Sequence, residues 1–279
     1  MTLPDFLLEP VVRAALAEDL GRAGDVTAQA CVPEGARWSA VIAARKPGRL
    51  AGLDAARLAF RLLDPETRFE AALSDGDDIA AGAVLARVEG RARVLLAGER
   101  TALNLLGRLC GVATLTAAYV AAVEGTGARI ADTRKTTPGL RALEKHAVRC
   151  GGGLNHRYGL DDAILIKDNH IAVCGGVGPA LERARAARGH LTKIEIEVDS
   201  LAQLEQALPF TPDVVMLDNF SLADLRTAVS LVQGQVVLEA SGGVSLKTVR
   251  AIAETGVDVI SVGALTHSAP ALDVGLDAA

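Results

Sequence analysis

Residues 194–218 read IEIEVDSLAQLEQALPFTPDVVMLD, and this stretch contains one full repeat of the pattern that decides the fold. A mostly apolar run, Ile194–Val198, precedes a helical pattern, and a second run, Val214–Leu217, follows it. Ser200 stands three residues before Gln203, which is typical of a capped helix N-terminus. Short runs that are apolar on both faces are typical of strands in a buried parallel sheet. The stretch therefore predicts a strand, a helix and a second, parallel strand.

The same unit recurs through the second half of the chain. Six strand-like runs alternate with helical patterns: Ala128–Ala131, Ala163–Ile166, Ile194–Val198, Val214–Leu217, Val236–Leu238 and Val257–Val262. A polar residue ends each run, and the last four are separated by 21, 21 and 22 residues: Asp132, Lys167, Glu197, Asp218, Glu239 and Ser261. Repeated βα units form either an open doubly wound sheet or a closed barrel. Polar residues at the end of every strand favour the barrel, and six units rather than eight predict an incomplete one.

The first half of the chain lacks this repeat. Helical patterns at 10–19, 54–63 and 95–124 alternate with strand-like runs at 38–44, 68–73 and 84–88, which predicts an α+β domain of roughly 110 residues. The long apolar helix from Leu95 would lead into the barrel, with a break near Gly107 or Gly111. In the barrel half, Ser221 and Ser245 are predicted to begin two further helices.

Composition excludes several classes of protein. Half of the residues are apolar and only 3% are aromatic, which predicts an aliphatic core. The net charge of -5 argues against a nucleic-acid-binding protein. We expect no membrane span, because no window holds 18 uninterrupted apolar residues. The N-terminus has no basic segment typical of a signal peptide. Four widely spaced cysteines predict free thiols in a reducing cytoplasm.

The segment from Arg129 to His170 is unusually basic. It contains eight Lys and Arg residues and three His against five acids, in a chain that is acidic as a whole. We interpret three of these charges, four residues apart, as an ordinary solvated helix face: Arg141, Lys145 and Arg149. Arg134, Lys135 and Lys167 instead follow apolar strands, where a charge is costly unless a ligand meets it. These three predict an anion-binding site.

Glycine-rich loops accompany the basic residues. Gly151-Gly152-Gly153 precedes Asn155-His156-Arg157, which suggests a flexible clamp on an anion. Ser241-Gly242-Gly243 and Gly263-Ala264 follow the last two strands of the predicted barrel, where backbone N–H groups commonly hold a phosphate. Tight turns without a ligand are the alternative interpretation.

Two acids at neighbouring strand ends, Glu197 and Asp218, would face the cations. They could hold sugar hydroxyls or a magnesium ion that carries pyrophosphate, or both, and Glu195 would face the same side of its strand. We expect no zinc site, because no His and Cys residues have ligand spacing, and no Ser-His-Asp site is visible. The chain also lacks GxxxxGK[ST] and a GxGxxG after its first strand.

Motifs along nearly the whole chain resemble those of the quinolinate phosphoribosyltransferase family, also called carboxylating nicotinate-nucleotide pyrophosphorylases. In order, the matching segments are ERTALN from Glu99, DTRKTTPGLR from Asp132, LEKHAVR from Leu143, GGG from Gly151, HRYGL from His156, LIKDNH from Leu165, IEIEV from Ile194, LDN from Leu217, EASGG from Glu239 and SVGALTHS from Ser261. Two small departures are Cys110, where a small hydroxyl residue is expected, and His146, where an aromatic is common.

The resemblance implies a fold and a reaction. The fold is an N-terminal open-faced α/β sandwich domain, residues 1–110, and a C-terminal incomplete (β/α) barrel, residues 111–279, whose last residues pack back on the first domain. The reaction joins quinolinate to phosphoribosyl pyrophosphate (PRPP) with Mg²⁺, and yields nicotinate mononucleotide, pyrophosphate and CO₂ in de novo NAD synthesis. The resemblance also implies a cytoplasmic homodimer with a shared active site.

The resemblance also implies roles for the individual residues that match the motifs of the family. Catalytic roles fall on Lys135, Lys167, Glu197 and Asp218, and the last two would also hold Mg²⁺, directly or indirectly. Arg100 would reach in from the other subunit. The full substrate-binding set is Arg100, Thr133, Arg134, Lys135, His156, Arg157, Lys167, Glu197, Asp218, Ser241, Gly242, Gly243, Val262, Gly263 and Ala264.

Three other functions stay open from the sequence. A molybdate-operon relative of the same fold shares the segment at Asp132, although Lys167-Asp-Asn-His170 fits the quinolinate enzyme better. A Schiff-base lyase would use Lys167 as its nucleophile. A non-catalytic barrel would only sense phosphate. The choice between a dimer and a hexamer, the order of substrate binding, the residue that drives decarboxylation and the regulation also stay open.

Overall fold

The computed structural model describes residues 3–279, and the chain divides into two units. One unit contains the chain up to Ala117 together with Thr136–Gly152 and Leu265–Ala279. The other contains Ala118–Lys135 and Gly153–Ala264. The predicted α/β fold with an incomplete barrel is confirmed. The boundary between residues 110 and 111 stays a prediction, because units defined by spatial contacts need not coincide with domains that fold alone.

Both units contain helices and strands, as the predicted α+β domain and βα repeats require. The helices are α1 Asp5–Leu20, α2 Val26–Cys31, α3 Leu53–Leu63, α4 Ala92–Ala122, α5 Arg141–Cys150, α6 Asp168–Cys174, α7 Val177–Ala187, α8 Leu201–Ala207, α9 Leu222–Val232, α10 Val249–Ala253 and α11 Ala264–His267. The strands are β1 Arg37–Ala44, β2 Gly48–Arg49, β3 Arg68–Ala71, β4 Asp78–Ile79, β5 Val84–Arg91, β6 Arg129–Ala131, β7 Ile164–Ile166, β8 Ile194–Val198, β9 Val214–Asp218, β10 Val237–Ser241, β11 Val259–Ser261 and β12 Val274–Ala278.

The first unit is built around a four-stranded sheet in the order β12-β1-β5-β3. All of its pairings are antiparallel, and Ala40 of β1 lies opposite Ala278 of β12. One buried face joins the sheet to its helices, with Ile42 and Leu85 of the sheet and Phe60 of α3 fully buried. The C-terminal strand therefore completes a sheet whose other strands come from the first part of the chain.

Helix α4 is continuous from Ala92 to Ala122, so the predicted break near Gly107 or Gly111 is wrong. The two glycines instead leave room for the main chain of residues 270–272. Leu272 donates its backbone N–H to the carbonyl of Gly107 at 2.8 Å, and a Cβ on Gly111 would overlap the carbonyl oxygen of Pro270. Glycine lowers helix propensity by about 1 kcal/mol relative to Ala. Close packing of the C-terminal segment against α4 explains why glycine occupies these two positions.

The second unit contains a six-stranded sheet in the order β6-β11-β10-β9-β8-β7, in which every pairing is parallel. The first strand in the sequence, β6, pairs with the last, β11, as in a closed ring. Within residues 3–279, β6 and β7 stand at the two ends of this order. An isolated bridge between Ala131 and Leu154 lies beside β6. The barrel is therefore open between its first and second strands.

Helix starts in the barrel follow the predicted caps with one exception. The Ser200 and Ser221 side chains accept the backbone N–H of Gln203 and Asp224, as predicted. Helix α10 begins at Val249 rather than at Ser245. The Thr248 hydroxyl accepts the Ser245 N–H, and the Ser245 carbonyl accepts the Thr248 and Val249 N–H groups. A separate turn therefore precedes the helix.

Helix α4 is also the one helix, within the described residues, that is long and apolar enough to cross a membrane by those two criteria. Half of its most apolar window is buried inside the protein, as is common for a core helix. This single helix is weak evidence for a membrane span. All four cysteines have free thiols, as predicted.

Candidate active site

A cavity of about 450 Å³ opens at the carboxyl ends of the barrel strands. Every strand of the six-stranded sheet delivers at least one residue to it, directly or through the loop that follows. Its walls are basic and acidic side chains, three hydroxyl residues and two apolar residues: Thr133, Arg134, Lys135, His156, Arg157, Leu165, Lys167, Glu197, Met216, Asp218, Ser241 and Ser261. The predicted cations and acids are thus brought together, because parallel strands end at the same edge of a barrel.

Lys167 and Glu197 form an ion pair across neighbouring strands. The Lys167 Nζ lies 2.6 Å from Glu197 Oε2, and the lysine side chain is 45% exposed. The backbone N–H of Lys167 donates to Nδ1 of His170 at 2.9 Å, which fixes the start of α6. The pair is therefore accessible to an incoming ligand, and an anion could take Lys167 from Glu197.

His156 is held through its backbone and both ring nitrogens. Its Nδ1 accepts the backbone N–H of Arg157 at 2.8 Å, so the neutral ring carries its proton on Nε2. That atom lies 2.9 Å from Glu195 Oε2 and 3.7 Å from Glu239 Oε1. The fully buried Asp132 carboxylate accepts the His156 N–H at 2.9 Å. The imidazole at the cavity wall is therefore fixed in place.

Burial, followed by the negative charge of Glu195, raises the pKa of Glu239 to about 7. His156 and the nearby Ser261 hydroxyl act in the opposite direction. The barrel interior thus holds a buried carboxyl group that protonates near neutral pH, beneath the cavity. The sequence indicated Glu239 and Asp132 as strand-end residues, but it did not indicate that they support His156.

Arg157 and Arg134 place two guanidinium groups in one wall. Burial, and then the charge of Arg134, lower the pKa of Arg157. The Nε atom of Arg157 is buried and has no hydrogen-bond partner within residues 3–279. Two cations held near each other favour an anionic ligand between them.

The glycine loops lie beside the cavity rather than in its walls. Ser241 and Ser261 line it, whereas Gly242, Gly243, Val262, Gly263 and Ala264 directly follow these two residues. Gly242 has a φ of 93°, and a Cβ there would overlap the side-chain oxygen of Asn219. This loop therefore needs glycine for its packing, with or without a bound phosphate.

Lys145 and Arg149 of α5 were both interpreted as solvated helix charges, and the structure confirms this for only one of them. Lys145 is only 2% exposed, so its interpretation as a solvated helix charge is wrong. The reason is that α5 is buried along residues 143–148, most of its circumference. Arg149 is exposed, as expected.

Arg100 lies on α4, in the unit that does not contain the cavity, and it is exposed. Glu197 and Asp218, the predicted magnesium ligands, come from the neighbouring strands β8 and β9 and both line the cavity. Two carboxylates fit a magnesium ion that keeps its other ligands from phosphate and water. A second group of donor atoms, on His156, Glu195 and Glu239, has all its members within 4.8 Å of one another.

An incomplete barrel with a cationic cavity, two acids and hydroxyl residues at its strand ends defines an enzyme that acts on phosphorylated, multiply anionic substrates. Two family models match the chain: the N-terminal domain of quinolinate phosphoribosyl transferase over residues 25–110, and its C-terminal domain over residues 112–277. The chain belongs to this family and is therefore a phosphoribosyltransferase, a class of pentosyltransferases.

Individual relatives agree with the family models. The chain is 47% identical over 271 residues to a carboxylating nicotinate-nucleotide pyrophosphorylase of Mycobacterium leprae, covering 95% of both proteins. It is 39% identical over 295 residues to a decarboxylating quinolinate phosphoribosyltransferase of Nicotiana tabacum, covering 98% of this chain and 83% of the relative. The nicotinate-nucleotide pyrophosphorylase structure from Francisella tularensis has a TM-score of 0.95 and 41% identity, and covers 100% of this chain and 98% of that one.

Proposed function

We propose that this enzyme transfers the phosphoribosyl group of PRPP to the ring nitrogen of quinolinate and releases pyrophosphate and CO₂, yielding nicotinate mononucleotide for NAD synthesis. The observation that carries the proposal is the single cavity that combines Arg134, Lys135, Arg157 and Lys167 with Glu197 and Asp218. Both substrates are polyanions, so their approach requires cations. A ribosyl cation developing between them requires nearby carboxylates.

The two carboxylates of quinolinate would be bound by Arg134, Lys135, His156 and Arg157. The Arg guanidinium is a planar fork that matches a carboxylate, and Lys135 supplies a compact charge. His156 can donate from Nε2 only by leaving Glu195, so we assign it a contact on the ring or on a carboxylate edge. Thr133 offers a hydroxyl beside them.

PRPP would occupy the other side of the cavity. Glu197 and Asp218 are assigned to the ribose hydroxyls and to the Mg²⁺ that accompanies pyrophosphate. That ion supplies positive charge that makes pyrophosphate a better leaving group. Lys167, released from Glu197, would bind the pyrophosphate. The 5′-phosphate is assigned to the backbone of Ser241–Gly243 and Val262–Ala264.

The reaction steps follow from the assigned positions of PRPP and quinolinate in the cavity. As the C–O bond to pyrophosphate lengthens, positive charge grows on the ribose, and Glu197 and Asp218 stabilise it. The quinolinate nitrogen forms the new C–N bond and becomes a pyridinium. Its positive nitrogen stabilises the carbanion left at C2 when the adjacent carboxylate departs as CO₂, and a proton taken up from solvent at C2 completes nicotinate mononucleotide. The cations hold the two polyanions together against their repulsion. The bimolecular reaction thereby becomes effectively unimolecular.

We also propose that the enzyme is a cytoplasmic homodimer in which Arg100 completes the cavity of the partner subunit. Its support is the exposed position of Arg100 outside the unit that contains the cavity. The rival Schiff-base function is disfavoured because Lys167 Nζ is engaged by Glu197 Oε2 at 2.6 Å rather than free to attack a carbonyl.

The reaction is tested on the wild-type enzyme with quinolinate carrying labelled carbon in its 2-carboxylate. We expect labelled CO₂ and nicotinate mononucleotide in equal amounts, only when both PRPP and Mg²⁺ are present. CO₂ release without PRPP would contradict the order of steps. PRPP binding without any product would favour a phosphate-sensing barrel, and a product from another acceptor alone would favour the molybdate-operon relative.

A further inference from the structure

Three potential metal ligands of different chemistry converge in the first unit, and none of them lines the cavity. Asp75 lies in the turn between β3 and β4, and His146 and Cys150 lie on α5. Their ligand atoms all lie within 4.8 Å of one another. We propose that Asp75, His146 and Cys150 form a binding site for a divalent transition-metal ion of the zinc class.

The geometry of the cluster centres on one ring nitrogen. Nε2 of His146 lies 2.8 Å from Asp75 Oδ2 and 3.4 Å from the Sγ of Cys150. His146 and Cys150 are four residues apart, so their side chains leave the same face of the helix. The expectation from the sequence that no His and Cys residues have ligand spacing does not hold for this pair. The Asp75 carboxylate is fixed by the backbone N–H groups of Gly52 and Leu53, at 2.9 and 3.2 Å. The donors are therefore presented by two anchored elements.

A proton on Nε2 of His146 satisfies fewer of the three donor atoms than a bound metal ion would. The Nε2 atom faces both an oxygen and a sulfur, and a single N–H can point at only one of them. A metal ion bound to all three displaces the thiol proton, and the imidazole keeps its one proton on Nδ1. A neutral imidazole, a carboxylate and a thiolate around a divalent ion sum to zero charge, which suits a buried position.

The ligand set selects the metal. Zinc binds sulfur at about 2.3 Å and histidine nitrogen or carboxylate oxygen at about 2.0–2.2 Å, in tetrahedral geometry. To admit it, the 2.8 Å between Nε2 of His146 and Oδ2 of Asp75 must open by about half an ångström, whereas the 3.4 Å between Nε2 and the Sγ of Cys150 is already close to the spacing of two ligands on one zinc ion. Thiolate and imidazole favour zinc or cobalt, whereas magnesium requires oxygen ligands. The fourth position would be taken by water, because the Cys110 thiol is engaged with the main chain of Ala51 at 3.4 Å.

The site is reachable and separate from the proposed reaction. The side chains of His146 and Asp75 are 4% and 10% exposed, and Cys150 is half-buried, so the cluster lies just beneath the surface. None of the three lines the cavity in the barrel. Metal binding would join the Asp75 turn to α5, so it should stabilise the fold without supplying a catalytic group.

Cobalt titration of the untagged, metal-free enzyme tests the site. We expect one Co²⁺ per chain, with the strong visible bands of tetrahedral cobalt and the near-ultraviolet thiolate-to-cobalt band. Cys150→Ser should lose the thiolate band, and His146→Phe should lose tight binding. Cys31→Ser is the matched control, because Cys31 is exposed and distant in sequence, and it should keep both signals. Zinc should displace the cobalt and raise the melting temperature of the wild type.

Two outcomes overturn the proposal. The wild type could show no tetrahedral cobalt spectrum, which would leave a simple buried His–Asp pair, or Cys150→Ser could retain the thiolate band. If Cys150→Ser does not fold, X-ray absorption of the zinc-loaded wild type makes the same distinction. One sulfur neighbour is expected, and a shell of nitrogen and oxygen alone would refute the site.

Discussion

His156 shows how the barrel prepares a side chain before any substrate arrives. Its ring accepts from the backbone of Arg157 and points its other nitrogen at Glu195, with Glu239 0.8 Å farther away (3.7 against 2.9 Å). Both carboxyl groups are buried, at 7% and 4% exposure. Because both acids are buried near each other, the negative charge of Glu195 disfavours ionisation of Glu239.

The first prediction concerns Glu239. Burial and the Glu195 charge raise its pKa from the ordinary 4.5 to about 7, so the folded protein retains a proton that the unfolded chain releases. Its contribution to the free energy of unfolding therefore decreases as pH rises from about 4.5 to about 7. In urea titrations at several pH values, the wild type should lose stability relative to Glu239→Gln across this window. A difference that is independent of pH would contradict this.

The second prediction concerns thiol reactivity. Burial raises the pKa of both Cys110 and Cys150 to about 12, and the charge of Asp75 acts in the same direction on both. At about pH 8 only roughly one in ten thousand of these thiols is ionised. With a chelator present, Ellman's reagent should therefore modify exposed Cys31 at least about 100-fold faster, as peptide mapping would show. Equal rates for the three cysteines would refute the buried environment.

At this scale the sequence predicted that Lys167, Glu197 and Asp218 line the cavity, because the side-chain period of a strand and the shared end of parallel strands fix their positions. It did not predict that the glycines after Ser241 and Ser261 lie outside the lining. It could not predict the Asp75–His146 pair, since its members are 71 positions apart. Nor could it predict the burial of Lys145, because charge alone suggested a solvated face. Such contacts depend on packing between distant segments.

Among the elements, α4 departs most from local rules. It has glycine at positions 98, 107 and 111 and nevertheless runs unbroken for 31 residues. Tertiary packing of residues 270–272 outweighs the low propensity, and Arg108 adds a buried pair with Glu144 at 2.8 Å. The helix therefore depends on its neighbours for its continuity.

The third prediction tests that dependence. A methyl group on Gly111 would overlap the carbonyl oxygen of Pro270, which is main chain and cannot rotate away. Gly111→Ala should therefore destabilise the protein by about 1–3 kcal/mol, although alanine is the better helix former. Gly127→Ala is the control, because a Cβ there has nothing within 4 Å. Chemical denaturation would compare the two, and a more stable Gly111→Ala would contradict the packing.

Strand positions in the barrel were predicted to within one or two residues at most ends, because buried parallel strands leave a strong apolar signal. Helix α10 began four residues later than predicted, since Ser245 and Thr248 form a turn of their own. A hydroxyl residue before an apolar run does not distinguish a cap from such a turn.

At the scale of the whole molecule, the repeat of about 21 residues predicted the barrel. The repeat did not predict that the barrel is open between β6 and β7. The chain between β6 and β7 is the long segment 132–163, which carries the DTRK motif, α5 and His156 instead of a simple crossover helix. The pairing of β12 with β1 could not be predicted, because strand partners far apart in sequence leave no local signal.

The most direct test of the central claim, that the cavity at the barrel strand ends is the site of phosphoribosyl transfer, compares three variants. Lys135→Ala and Arg157→Ala each remove a cavity cation, whereas Arg226→Ala removes an exposed charge on α9. In PRPP-dependent CO₂ release from quinolinate, the two cavity variants should lose at least about 100-fold in kcat/KM, with an unchanged melting temperature. Arg226→Ala should match the wild type. Near-normal turnover in both cavity variants would contradict the account.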